Sequence, residues 1–364
     1  MQARGSRCSA LLPLLVLLSV GCGADFDRVS ELNSVRVLGV QKDSPFPVPG
    51  QNVNVRLLWE DARLEAFRPP SPDPDAPRVT WLPACFNPPG NSYLGCVEQL
   101  SNPTGPIELK EGNQVDFQID PALLSDLPAS NGQPVFGSTY LFFALCAGQL
   151  EPDLSSPQGA LPLVCRRTDG TLQGPDAFVV GYTTLYSYPE GFINENPTAA
   201  TRFEIEGKSV QAACSDPADV GVASCVPATG FFARPRTTVE DCDPATDERC
   251  FVTCEEDGDV AECPGIDVRP LLNPAEDAEL DAVGAKYFGR NVKEQMWVSY
   301  HVNGGGVRSD IRLLNDGDTG PAEDYGTEFY APKDPGLVTL WAVARDNRGG
   351  ASWSSVELRI VAPR

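Results

Sequence analysis

Residues 337–361 read LVTLWAVARDNRGGASWSSVELRIV, two runs of alternating apolar and polar residues on either side of Asp346-Asn347-Arg348-Gly349-Gly350. A period of two sends successive side chains to opposite faces, which marks a half-buried strand. Asn, Asp and Gly in the middle supply the backbone freedom that reverses the chain. The stretch is therefore a β-hairpin.

The same period recurs upstream. Met296, Val298, Tyr300 and Val302 share one face of a run, and residues 202–206, 311–314 and 327–330 add further short strands. Nearer the N-terminus, Val53, Val55, Leu57 and Trp59 alternate with polar partners, as do Val115, Phe117 and Ile119. Val79 and Trp81 belong to a central strand carrying a core tryptophan, YLFFALCA (140–147) is a near-continuous apolar strand, and residues 178–188 supply a last long strand. Many short strands with 33 Gly and 34 Pro suit an all-β chain. We expect two immunoglobulin-like β-sandwich domains in tandem, 33–190 and 201–364, joined by a linker at 191–200. The second carries a cysteine-rich insertion, 211–265, and residues 274–284 are the best candidate for a single short helix.

The N-terminus has a different character. Arg4 and Arg7 precede an apolar run from Ala10 to Val20 and the small residues Gly21, Cys22, Gly23 and Ala24. This is the layout of an export signal, too short to span a bilayer comfortably. Leu18-Ser19-Val20-Gly21-Cys22 resembles the lipobox of bacterial lipoproteins, with Ser19 where Leu is usual. The resemblance implies a signal peptide 1–22, cleavage before Cys22, lipidation of that thiol with palmitate-type chains, and a tether over 23–32. Gly23 after the cysteine implies onward transport to an outer membrane. Ordinary cleavage after Ala24, leaving a secreted or periplasmic protein, stays open.

The terminal hairpin resembles the last two strands of the immunoglobulin-like and PKD-like modules of bacterial surface proteins. The whole layout, lipobox followed by two such modules with a cysteine-rich insertion, is similar to lipoproteins of myxobacteria that have no assigned activity. The resemblance implies a cell-envelope protein, facing periplasm or surface, and carries over no catalytic residue.

Outside the signal stand ten cysteines: Cys85, Cys96, Cys146, Cys165, Cys214, Cys225, Cys242, Cys250, Cys254 and Cys263. An even set in an exported chain reads as disulfides. Closing short loops costs least entropy, so Cys85 is expected to pair with Cys96, Cys146 with Cys165, Cys214 with Cys225, and the last four among themselves. The net charge of −22 repels phosphate backbones and excludes nucleic acid as a natural partner.

Catalytic signatures are scarce. The single histidine, His301, rules out paired-histidine metal ligation and reads as a surface or rim residue on its strand. No G-x-S-x-G offers a nucleophile elbow. Gly207-Lys208-Ser209 lacks the upstream glycine of a phosphate loop, since Arg202 stands there, and reads as a turn. The acidic stretch 241–263 has no histidine and no C-x-x-C pair for zinc, but Asp243, Asp247, Glu255, Asp257 and Asp259 are candidate oxygen ligands for Ca²⁺. The expectation is a non-enzymatic, lipid-anchored envelope protein without a cofactor, whose partner is a protein or polysaccharide. Two alternatives stand beside it, a secreted carbohydrate-active hydrolase with a carboxylate pair between the domains and a calcium-stabilised adhesion module.

Overall fold

The computed structural model describes residues 28–363 apart from 62–74, 89–91, 102–107, 126, 128–134, 154–160, 190, 214–241 and 256–261. Cys22, Cys214, Cys225, Asp257 and Asp259 fall outside the described residues, as does the first half of the tether, 23–27. The protein is all-β, with two immunoglobulin-like sandwiches in tandem.

In the first domain the strands are β1 (Val35–Lys42), β2 (Asn52–Asp61), β3 (Pro77–Trp81), β4 (Cys85–Phe86), β5 (Lys110–Glu111), β6 (Gln114–Gln118), β7 (Gly137–Ala147), β8 (Gln149–Pro152), β9 (Leu163–Arg166) and β10 (Phe178–Ser187). One sheet runs β1-β2-β6; the other runs β10-β7-β3-β5, with β4 also on β7. Their inner faces meet around Trp81, Trp59, Phe143, Leu145 and Ile119. Trp81 packs edge-on to Phe143 with its indole N–H on the Gly112 carbonyl at 2.8 Å, so its one polar atom keeps a partner in the core. A helix absent from the sequence reading, α1 (Ser92–Ser101), lies over the outer face of this sheet. Cys96, Val97 and Leu100 pack on Phe142 there, and the Cys85–Cys96 disulfide pins the helix down. A second disulfide, Cys146–Cys165, ties the β8–β9 hairpin to β7.

The second domain begins with β11 (Arg202–Ile205), β12 (Lys208–Gln211), β13 (Cys250–Val252) and β14 (Ile266–Pro270), and continues through β15 (Met296–Val302) and β16 (Gly306–Val307). It ends with β17 (Ile311–Asp316), β18 (Gly320–Pro321), β19 (Thr327–Tyr330), β20 (Gly336–Asp346) and β21 (Ala351–Val361). A sheet β12-β11-β14-β19-β16 packs on a sheet β13-β21-β20-β15-β17-β18. Phe203, Ile205, Tyr300, Phe329, Leu340 and Val356 are fully buried between them. Glu206 and Gly207, both at positive φ, make the tight turn between β11 and β12, which fits the reading of Gly207-Lys208-Ser209 as a turn.

The single helix expected over 274–284 is instead two, α2 (Pro274–Asp277) and α3 (Ala282–Phe288). Between them Ala278 turns extended and Leu280 bridges Lys293. Asp281 then restarts the helix by accepting the Gly284 N–H at 2.8 Å.

The domains share a buried seam. Leu32, Leu38, Trp341, Val343 and Trp353 form one apolar cluster from both, and Arg56 of β2 stacks over Trp353. Residues 28–32, expected to belong to a free tether, are docked: Leu32 N–H donates to the Val302 carbonyl at 2.9 Å and Val302 N–H to the Ser30 carbonyl at 2.8 Å. The linker is built in as well, Asn196 donating to the Lys42 carbonyl and accepting from Ala351 N–H. At the tip of the β20–β21 hairpin, Asp346 Oδ1 accepts the N–H groups of Arg348 and Gly350, and Lys42 Nζ reaches the Gly349 carbonyl at 2.7 Å. Buried Arg348 pairs with Glu279 at 2.6 Å and with Glu294, donates to the Ile193 carbonyl and lies over the Phe46 ring. Burial pushes the Lys42 ammonium down to about 8, against the pull of Asp346, and raises the Asp346 carboxyl.

Candidate functional site

A concave polar surface lies on the second domain, on the side of its five-stranded sheet. Strand alternation builds it: Phe203, Ile205, Val268 and Phe329 point into the core, while Glu204, Asp267, Arg269 and Glu328 on the same strands point outward. Glu204 sits directly across from Arg269, and Asp267 from Glu328. With Arg308, Ser309, Arg312, Asp324 and Thr327 they line a cleft of about 610 Å³.

Each arginine of the cleft has a carboxylate partner. Arg269 meets Glu204 at 3.1 Å, Arg308 meets Glu328 at 2.5 Å, and Arg312 meets Asp324. The Tyr330 hydroxyl donates to Glu328 at 2.6 Å, and Arg269 also covers the Tyr325 ring. The Tyr330 hydrogen bond and then the Arg308 guanidinium hold the Glu328 carboxyl below its usual range. A general acid for glycoside cleavage needs the opposite, a carboxyl kept protonated near neutral pH. What the cleft offers is an array of fixed donors and acceptors of both signs.

The sequence reading passed over these residues. The available signal was charge at the outward positions of strands whose inward positions are aromatic or branched, as in Phe203-Glu204-Ile205, but which strands become neighbours is a matter of topology.

The stretch 241–263 is stapled by Cys242–Cys250 and Cys254–Cys263, and β13 within it pairs in parallel with β21. Asp243 accepts the Ala245 N–H, whereas Asp247 accepts the Arg249 N–H and pairs with Arg359 at 3.0 Å. Glu255 is exposed. Among the described residues no group of three or more His, Cys, Asp or Glu side chains is placed to hold a metal ion, and Asp257 and Asp259 lie outside them.

His301 is buried, which corrects the reading of a surface or rim histidine. It does face away from the core of its own sandwich, but residues 28–32 cover it, with Nδ1 3.3 Å from the Val29 carbonyl. Burial, and then the Arg345 charge, push its pKa down to about 4, so the ring is neutral and sealed. Between the domains, Glu279 and Glu294 are engaged by Arg348 and Asp346 by the hairpin backbone, so these acids are structural parts of the seam. Tyr93, in the first turn of α1, packs on Phe142 and Tyr182.

Four disulfides among the described residues place the folded chain outside the reducing cytoplasm, in an extracellular or periplasmic setting. Among the described residues no helix is long and apolar enough to cross a membrane. No protein-family model and no curated protein matches the chain. Among solved structures it is similar to the fibronectin(III)-like modules of Clostridium thermocellum CbhA, at 10% identity over 89% of this chain and 93% of that one, with a TM-score of 0.19. It is also similar to three N-terminal domains of the bacteriophage RB49 highly immunogenic outer capsid protein (Hoc), at 8% identity over 91% of this chain and 100% of that one, with a TM-score of 0.14. Both likenesses are faint, and the fold, a tandem of all-β modules, rests on the strand pairing above.

Proposed function

We propose that the chain is a non-enzymatic binding or structural protein of the bacterial cell envelope, held to the outer membrane by lipid on Cys22. The observation that carries the non-catalytic part is the engagement of its candidate acid and base groups. The one histidine is sealed, the cleft carboxylates at Glu204, Asp324 and Glu328 sit in ion pairs, and the seam carboxylates hold the hairpin and Arg348. The lipobox-like Leu18-Ser19-Val20-Gly21-Cys22 supports the anchor. More than one acyl chain is what stable anchoring requires. Five residues lie between Cys22 and docked Arg28, at most about 22 Å of chain, so such an anchor would hold the seam close to the bilayer.

The test is intact mass and membrane partitioning of the chain made in a bacterium, beside Cys22→Ala. Acyl mass on an N-terminal Cys22 and membrane retention lost in the variant are the expected results. A soluble mature chain beginning near Asp25 would overturn the anchor and leave a secreted or periplasmic module.

A further inference from the structure

A sheet face turned to solvent ordinarily carries polar side chains. The outer face of β10 departs from this: Val180, Tyr182 and Tyr186 stand exposed there beside half-buried Thr184, while Thr183, Leu185 and Ser187 point inward and are buried. Tyr182 keeps 47% of its surface open, and Phe136, just before β7, keeps 48%. Exposed aromatics grouped on one face mark an interaction surface more often than isolated ones do.

The rings form a row of two groups, one around Tyr182 and one around Tyr186. Tyr93 of α1 and Tyr140 of β7 lie 5.5 and 5.9 Å from Tyr182. Phe136 meets Tyr186 edge-on at 5.6 Å and Tyr188 at 5.7 Å, and Tyr188 continues to Phe46, which carries Arg348 of the seam. The first group starts at the disulfide-pinned helix, and the second reaches the junction of the two domains through buried Tyr188 and Phe46. Neither β7 (GSTYLFFALCA) nor β10 (FVVGYTTLYS) contains a charged residue, in a chain whose net charge is −22.

We propose that this face binds a neutral, extended polysaccharide. Pyranose rings present C–H-rich faces that stack on aromatic rings, and their hydroxyls need the donors and acceptors that phenols offer and phenylalanines do not. Burial, and then the nearby Tyr140 and Tyr182 phenols, raise the Tyr186 phenol above its ordinary range. Tyr182 and Tyr186 are four residues apart on one strand, about 13 Å, so the row is laid out for a chain of sugars. Charge selects the partner: acidic polymers are repelled by the molecule as a whole, and a basic protein finds no counter-charge on these two strands. The proposal rests on the reading of the chain as a binding module but not on the lipid anchor.

The experiment is depletion of the purified full chain, exported so that its disulfides form, by amorphous cellulose, chitin and insoluble starch, with alginate beads as the acidic control. Retention on at least one neutral polymer and none on alginate is expected. The Tyr182→Ala/Tyr186→Ala double variant should bind about tenfold more weakly with an unchanged melting temperature, and Tyr182→Phe should bind between the two. Three results each overturn the proposal: no retention on any neutral polymer, equal retention of the double variant, or a concentration-dependent dimer of the native chain that the double variant abolishes. Because retention is read on detergent-solubilised protein, absence of acyl mass on Cys22 would sink the anchor and leave this result standing.

Discussion

Arg348 at the seam and Arg308 in the cleft are both arginines held by glutamates, yet they belong to different energetic regimes. The Arg348 side chain is 6% exposed and its Glu294 partner 2%, whereas Arg308 is 60% exposed and Glu328 30%. A buried pair has already lost its hydration, so removing one member strands the other charge in a poorly polarisable interior. An exposed pair trades one solvated state for another and contributes little. The seam pairs lie within the second domain and fix Arg348 where it meets the Ile193 carbonyl and the Phe46 ring of the first, while the cleft pairs leave a polar surface free to exchange partners.

The sharpest way to break this contrast is Arg348→Met. It leaves Glu294 buried without its cation and should cost about 3 to 5 kcal/mol in chemical denaturation, with the two domains ceasing to melt together. A loss below about 1 kcal/mol would place the seam in the same class as the cleft. Next comes acid. The folded chain keeps His301 neutral down to about pH 4, while the unfolded chain takes up a proton near 6.5. The unfolded state therefore binds more protons in this window, and stability is full above pH 6.5 and falls as pH drops towards 4. The His301 share is on the order of 3 kcal/mol, and it should appear as a steeper acid loss in the native chain than in His301→Gln. Equal slopes would mean that residues 28–32 do not seal the ring. The smallest effect belongs to Arg308→Gln, expected to change stability by less than about 1 kcal/mol, with the difference vanishing in high salt. A larger, salt-independent loss would show that the cleft is structural.

The sequence was informative where local rules govern. The Asp346 to Gly350 turn between two alternating runs announced β20 and β21, and the apolar run around Phe142 announced β7. Short-loop closure pointed to Cys85–Cys96 and Cys146–Cys165. It was silent where partners are far apart: Lys42 and Gly349 meet across 307 residues, and neither carries a local sign of the other. His301 was misread for the same reason, since alternation places it away from its own core and only the docked N-terminal segment turns that face into an interior. The α1 spacing of Tyr93, Cys96, Val97 and Leu100 follows a helical stripe, but over barely three turns and between long loops it was too brief to stand out. The aromatic face was half visible: β10 was recognisable as a strand, but whether Tyr182 and Tyr186 would be covered depended on where α1 came to rest.

The parallel strand β13 runs along β21 from Cys250 to Val252, inside a segment closed by two small disulfide rings. The last strand of the chain is thus finished by a piece of its middle, and oxidation determines how firmly that piece is held. Reduction would release a sticky ribbon of unpaired amides at the margin of the largest sheet. The rings therefore keep covered a sheet margin that would otherwise be open to pairing with another strand.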